Sequence, residues 1–273
     1  MIKWEHSFLT LPFGLTGAVL AARGIPPVHT LLWICVALIA GRSAAMAFNR
    51  LVDANIDAAN PRTKMRALPA GKLSREFVAG FIVVTSAILI FAAWQLNPLA
   101  FRLSPAALAV VFLYSYTKRF TRWSHVALGL AMGIAPVASW IAVRGSLDPR
   151  ILLLGLAVIF WGAGFDILYG CQDYDFDCST GVYSVPKAFG IRNALRLARL
   201  FHVVTFGLLV WMVLAFGLGK IAMEGVLLVG SLLIYEHSLV KHDDLRRLNA
   251  AFFTMNGFIS MGFLFFIAAD FLV

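Results

Sequence analysis

The chain has 273 residues, 60% hydrophobic and only 14% charged, with a formal net charge of +9 and a mean hydropathy of +0.83. Soluble domains carry about 25% charged residues, so this composition excludes an ordinary water-exposed surface and indicates an integral membrane protein. The positive charge does not indicate nucleic acid, because the lysines and arginines fall in short clusters between apolar runs.

Nine apolar runs follow one another, at 8–22, 28–51, 74–95, 98–116, 123–143, 150–172, 192–217, 220–240 and 249–272. Most approach the length of about 20 residues that a bilayer requires. They lack the alternation of barrel strands, so backbone groups in lipid must be satisfied within helices. Gly24 to Pro27, Asn97-Pro98, Asp148-Pro149 and Gly217 to Gly219 punctuate the breaks. Val19-Leu20-Ala21 loosely matches a signal-peptide cleavage site, but Glu5 is foreign to the basic start of such a peptide, and the first run is expected to be retained. The expected fold class is an all-α polytopic membrane protein with about nine transmembrane helices, organised as one domain over 1–273.

Counting charges loop by loop orients the chain. One side collects Lys3, then Arg50, Arg62, Lys64, Arg66, Lys72 and Arg75, then Lys118, Arg119 and Arg122, then Lys187, Arg192, Arg196 and Arg199, then Lys241, Arg246 and Arg247. The other holds Arg23, Arg102, Arg144, Arg150 and Lys220, and Arg42 alone lies within a span. By the positive-inside rule the richer side is cytoplasmic, and an inner-membrane location follows.

Two acidic motifs lie at the cytoplasmic ends of the second and sixth runs. In the first, Asn49, Asp53 and Asp57 are spaced by four and share one helical face, with Arg42 seven residues earlier. In the second, Asp166, Asp173 and Asp177 are spaced by seven and four, while Asp175 points elsewhere. A lone aspartate at a helix end is commonly just solvated. Paired motifs of equal spacing at one face are not explained that way, because like charges at i, i+4 repel and a helix C-terminus disfavours anions. A hard divalent cation with oxygen ligands relieves both problems. Basic strings follow, Asn60-Pro61-Arg62-Thr63-Lys64-Met65-Arg66-Ala67-Leu68-Pro69-Ala70-Gly71 and Tyr114-Ser115-Tyr116-Thr117-Lys118-Arg119-Phe120-Thr121. Some of these charges serve only topology. Carboxylates, metal and guanidiniums around one cavity nevertheless suit a diphosphate.

These four motifs, in this order along the whole chain, resemble those of the UbiA superfamily of intramembrane prenyltransferases, and Arg42 matches an arginine that the family carries before its first motif. The resemblance implies a helical bundle around a central cavity and Mg²⁺-dependent transfer from a prenyl diphosphate to an acceptor. Within the family the chain is most similar to the 4-hydroxybenzoate polyprenyltransferase branch of quinone biosynthesis, and also similar to prenyltransferases of the futalosine route to menaquinone. Two departures bear on the acceptor: Tyr183-Ser184-Val185-Pro186 stands where that branch has Lys-Ser-Thr, and His125 where a glutamine is usual.

The expected roles are then specific. Asn49, Asp53, Asp57, Asp173 and Asp177 hold Mg²⁺. Arg62, Arg66 and Lys118 neutralise the diphosphate. Tyr114 or Tyr169 faces the allylic cation, Asp166 takes the proton, and Arg42 either meets an acceptor carboxylate or neutralises the aspartate stripe. A polytopic transporter would explain the spans but not acids gathered at one face. The D-G-x₂-A-R string of CDP-alcohol phosphotransferases is absent, the histidines lack metal spacing, Cys35, Cys171 and Cys178 are bystanders, and Glu236 has no assigned role.

Overall fold

The computed structural model describes residues 7–240, 242, 245, 248 and 255–273, with only the backbone of 7–9. The helices are α1 (Ser7–Ala22), α2 (Val28–Val52), α3 (Ala54–Ala59), α4 (Arg75–Leu96), α5 (Pro98–Thr117), α6 (Ser124–Arg144), α7 (Ile151–Gly170), α8 (Tyr174–Ser179), α9 (Val185–Phe216), α10 (Lys220–Leu239) and α11 (Asn256–Asp270). Seven are long and apolar enough to cross a membrane, and α1 and α11 are shorter apolar helices. The apolar runs are therefore helical, as expected. The first residues of the run at 249–272 lie outside the described part, and α11 covers the rest.

Local chemistry explains the helix ends. Ser74 accepts a hydrogen bond from Phe77 N–H at 3.1 Å, Asn97 from Ala100 N–H at 2.9 Å and Ser184 from Lys187 N–H at 3.3 Å, each satisfying an orphan donor of a first turn. Asn97 also donates to Ile141 O and Ala142 O at 2.8 and 3.0 Å, tying the α4–α5 corner to the end of α6. Inside α5, Pro105 has no N–H for the Phe101 carbonyl, and the Ser104 hydroxyl takes that carbonyl instead at 2.8 Å. α9 begins seven residues before its apolar run and kinks at Gly190, whose φ of +76° suits glycine alone.

The helices close into a ring. α2 packs on α4, α4 on α5, α5 on α6, α6 on α7, α7 on α9, α9 on α10, α10 on α11 and α11 on α1, while α1 also crosses the middle to pack on α6. That crossing is close, since a Cβ at Gly17 would lie 2.2 Å from Pro136 O, and α6 meets α7 as closely at Gly129, where a Cβ would lie 2.2 Å from Ile159 O. Helices in lipid gain little from hydrophobic burial and associate through such close approach. α1 and α6 thereby split the bundle. On one side α7, α9, α10 and α11 pack with α1 around Phe13, Trp161, Leu209, Met212 and Phe263. On the other, α2, α4, α5, α6 and α7 surround a cavity of about 850 Å³.

Candidate active site

The cavity is apolar along most of its length and polar at one end. Leu96, Ala100 and Leu103 line one extremity, and Arg42, Asn49, Arg50, Arg66, Tyr114, Asp166 and Tyr169 line the other. The polar end coincides with the C-terminal ends of α2, α5 and α7, where both acidic motifs lie.

The first motif keeps its stripe across a helix break. Asp53 has φ −90° and ψ 5°, separating α2 from α3. Asp53 N–H still donates to Asn49 O at 2.9 Å and Asp57 N–H to Asp53 O at 2.8 Å, so the i, i+4 ladder holds. Asn49 Nδ2 donates to Asp53 Oδ2 at 2.8 Å. Asp53 is only 1% exposed, and a buried carboxylate needs compensation. Lys118 Nζ supplies it at 2.5 Å and Arg119 Nη2 at 3.1 Å. Asp57, also buried, receives both its side-chain hydrogen bonds from Arg66 Nη1, at 2.7 and 2.8 Å, with Arg50 at 3.7 Å.

The second motif also bends. α7 ends at Gly170, a 3₁₀ turn carries Cys171–Asp173, and α8 carries Asp177. Arg62, from the loop after α3, donates through Nε to Asp173 Oδ1 at 2.8 Å and through Nη2 to Asp173 Oδ2. Its Nη1 meets the Tyr169 hydroxyl at 3.0 Å, and its Cζ lies 5.0 Å from that ring. Burial pulls the Arg62 pKa down, but the hydrogen bonds and charge of Asp173 outweigh it and hold the group above its ordinary value. Asn60 Nδ2 donates to Asp173 Oδ1 at 2.9 Å, while Asn60 Oδ1 accepts from Arg62 N–H at 2.9 Å. One short string from the first half thus clamps the second motif. Asp177 is buried beside Ser184, and Asp175 is exposed.

Asp166 belongs to a different grouping. It lines the cavity, and its Oδ2 lies 2.7 Å from His125 Nδ1, while His125 Nε2 faces Val185 N–H at 3.4 Å. Arg42 reaches Thr10 Oγ1 with Nη1 at 3.1 Å, and its Nε has no acceptor among the described residues.

All of the singled-out residues therefore stand at or beside the polar end, with Asp166 and Arg42 deeper and apart from the aspartate pairs. Four participants escaped the sequence reading: Arg119, Arg50, Asn60 and His125 as partner of Asp166. Arg119 and Asn60 adjoin or head strings already singled out, so proximity in sequence was the available signal. Arg50 carried none beyond its place inside the first motif.

Among the described residues no three acidic, cysteine or histidine side chains converge on one point. Asp53, Asp57 and Asp173 instead face cations. The donor chemistry at the mouth, carboxylate and amide oxygen, fits a hard divalent ion. With so few carboxylates per position, such an ion would draw its remaining ligands from diphosphate oxygens and water.

Known proteins share this layout. Residues 10–261 match the model of the UbiA prenyltransferase family. A 4-hydroxybenzoate octaprenyltransferase of Vibrio vulnificus is 31% identical, over 94% of this chain and 93% of its own length. The apo structure of a UbiA homolog from Aeropyrum pernix K1 superposes with a TM-score of 0.88 at 31% identity, over 100% of this chain and 98% of that one. A UbiA homolog from Archaeoglobus fulgidus, bound to DMAPP and Mg²⁺, shares the fold with a TM-score of 0.73 at 19% identity, over 98% and 96% of the two chains. The family match over nearly the whole bundle, with a solved homolog of the same fold at 31% identity, identifies this chain as a membrane prenyltransferase of the UbiA family.

Proposed function

We propose that this chain transfers a polyprenyl group from a prenyl diphosphate to an aromatic acceptor of the 4-hydroxybenzoate type in quinone biosynthesis. In this reading it does so with Mg²⁺, in the inner membrane, with its acidic end toward the cytoplasm. The observation that carries the reading is the joining of a long apolar cavity to a mouth of paired carboxylates and guanidiniums. The Vibrio vulnificus relative is a 4-hydroxybenzoate octaprenyltransferase, and the Archaeoglobus fulgidus fold neighbour was solved with DMAPP and Mg²⁺.

The prenyl chain lies in the apolar cavity with its diphosphate at the mouth. Asn49, Asp53, Asp57, Asp173 and Asp177 would hold Mg²⁺, which when bound neutralises the diphosphate and makes it a better leaving group. Lys118, Arg119, Arg62 and Arg66, drawn from their aspartate partners, contact the diphosphate oxygens, and these contacts strengthen as charge develops there. The allylic C–O bond breaks, and Tyr114 and Tyr169 present ring faces to the cationic carbon. The apolar walls keep water from capturing it. Arg42, braced on Thr10, pairs with the acceptor carboxylate and turns the ring toward that carbon. A C–C bond forms, and the ring proton passes to Asp166, whose carboxylate His125 orients.

The test is prenyl transfer in membranes carrying Asp53→Ala or Asp173→Ala, with and without chelator. Transfer falls by about 10²–10³ in either variant, as for loss of one group that stabilises developing charge, and a chelator abolishes it in the wild type. Undiminished transfer in either variant overturns the two-motif site.

A second acceptor reading draws on His125. The residue that departs from the 4-hydroxybenzoate branch is the one paired with Asp166 beside the cavity, so the acceptor pocket differs where it meets the ring. Mass measurement of products from 4-hydroxybenzoate and from a futalosine-derived acceptor, each with one prenyl diphosphate, decides between them.

A further inference from the structure

At the opposite end of the bundle a second cleft, of about 470 Å³, opens among the C-termini of α1 and α6, the start of α7 and the α9–α10 turn. Arg23, Arg144 and Arg150 line it together with Leu20, Trp140 and Phe216. Of the five basic residues that loop counting assigns to this face, three meet here, whereas the acidic mouth lies at the other end. Positive charge is depleted on this side by the topology rule, so its concentration in one cleft calls for a cause other than orientation.

The three arginines are not equivalent. Arg150 is held by Asp148, with Nε 3.1 and 3.0 Å from the two carboxylate oxygens and Nη2 2.6 Å from Oδ2, and its Cζ lies 5.0 Å from the Phe216 ring. Asp148 is the one carboxylate side chain among the residues lining the cleft. Arg23 and Arg144 line the same cleft without an ion pair to it.

Two further features point to a ligand. Arg23 is the one described non-glycine residue with positive φ, at +53°. It closes α1 through Arg23 N–H to Leu20 O at 3.3 Å and Gly24 N–H to Val19 O at 3.2 Å, a turn in which glycine is the usual residue. A long cationic side chain therefore occupies a strained position that a glycine would fill without strain. Trp140, 5% exposed, also lines the cleft, and its indole N–H has no acceptor among the described residues. The cleft thus combines two guanidiniums and an indole N–H, unpaired among the described residues, with a floor of aromatic and aliphatic carbon. Its complement is an anion with several acceptor oxygens and an apolar tail.

We propose that this cleft binds the phosphodiester headgroup of an anionic phospholipid from the leaflet opposite the acidic mouth. Arg23 and Arg144 contact the phosphate oxygens, and the acyl chains lie over Leu20, Phe216 and Phe271. Inorganic phosphate shares the headgroup chemistry but gains nothing from the apolar floor.

The test uses the full chain in neutral detergent, wild type and R23G/R144Q, with R144Q alone as a second variant. Thermal unfolding is followed while phosphatidylglycerol, phosphatidylcholine or inorganic phosphate is titrated. Glycine fits the backbone at position 23, so the double variant should unfold without lipid at or above the wild-type temperature. Phosphatidylglycerol should raise the wild-type unfolding temperature and phosphatidylcholine should not. The double variant should need about tenfold more phosphatidylglycerol for the same shift, and R144Q an intermediate amount. A shift from inorganic phosphate alone that the variants lose would overturn the lipid as ligand and retain an anion site. Equal responses of wild type and variants to phosphatidylglycerol, or equal responses of the wild type to both lipids, would overturn the site.

Discussion

The two sides of the bundle are made from similar apolar helices yet do opposite things. Behind α7, the α9–α11 side fills its centre with Phe13, Trp161, Leu209, Met212 and Phe263. In front of α7, the α2–α5 side leaves about 850 Å³ open, and its described buried clusters are small: Ala47, Val78 and Ile82, with a fringe that includes the stacked Phe48–Phe112 pair at 4.3 Å, and Ile34 with Ala18 and Ala142. Hydropathy is alike on both sides; the difference lies in which residues face inward. Close-packed helices cannot also hold a lipid chain. The filled side serves as a wall, presenting Asp166 and Tyr169 to the open side that is proposed to take the substrate.

Four substitutions break or sharpen this contrast, from the largest effect to the smallest. Asp173→Ala removes the acceptor of Arg62 and Asn60 at the open side and should lower transfer by about 10²–10³; the comparison of purified wild type and variant is made at matched folded fraction. Gly17→Val, at the seam, forces a side chain against the Pro136 carbonyl and should cost about 1–3 kcal/mol of stability. It is read as a lower unfolding temperature with any substrate. Ala107→Phe, in the cavity lining, should leave the unfolding temperature within a few degrees and cut transfer of long prenyl chains about tenfold relative to geranyl diphosphate. Competition between two chain lengths in one assay reads that ratio, and an equal loss for both lengths would argue against the cavity as prenyl channel. Glu236→Gln, on the filled side, keeps an oxygen for Asn256 Nδ2, which now donates to Glu236 Oε1 at 2.9 Å. Its kcat/KM should stay within about twofold of wild type, since it does not line the cavity and retains its hydrogen bond.

Much of this was legible before any coordinates. Apolar runs set the spans, because an unpaired backbone group in lipid is too costly for any alternative. The i, i+4 spacing placed Asn49, Asp53 and Asp57 on one stripe, and the stripe survives the break at Asp53 because the backbone ladder continues through it. The exclusion of Asp175 also agrees with its exposure. Less legible were the partners. Lys118 and Arg119 reach Asp53 from 65 and 66 residues away in sequence, and no local pattern says which of two adjacent cations will do so. The pairing of Asn60 and Arg62 with Asp173 spans more than 110 residues.

What the sequence determined by itself was a membrane bundle with two acidic motifs at one end, since hydropathy, loop charge and helical period are local quantities. Tertiary structure alone decided that α1 would cross to α6, that one side would fill and the other stay open, and that Asp53 and Asp173 would meet cations from distant loops. Those outcomes depend on shape complementarity between helices far apart in the chain, such as Gly17 against the Pro136 carbonyl. No periodicity within a single helix encodes which neighbour it will touch.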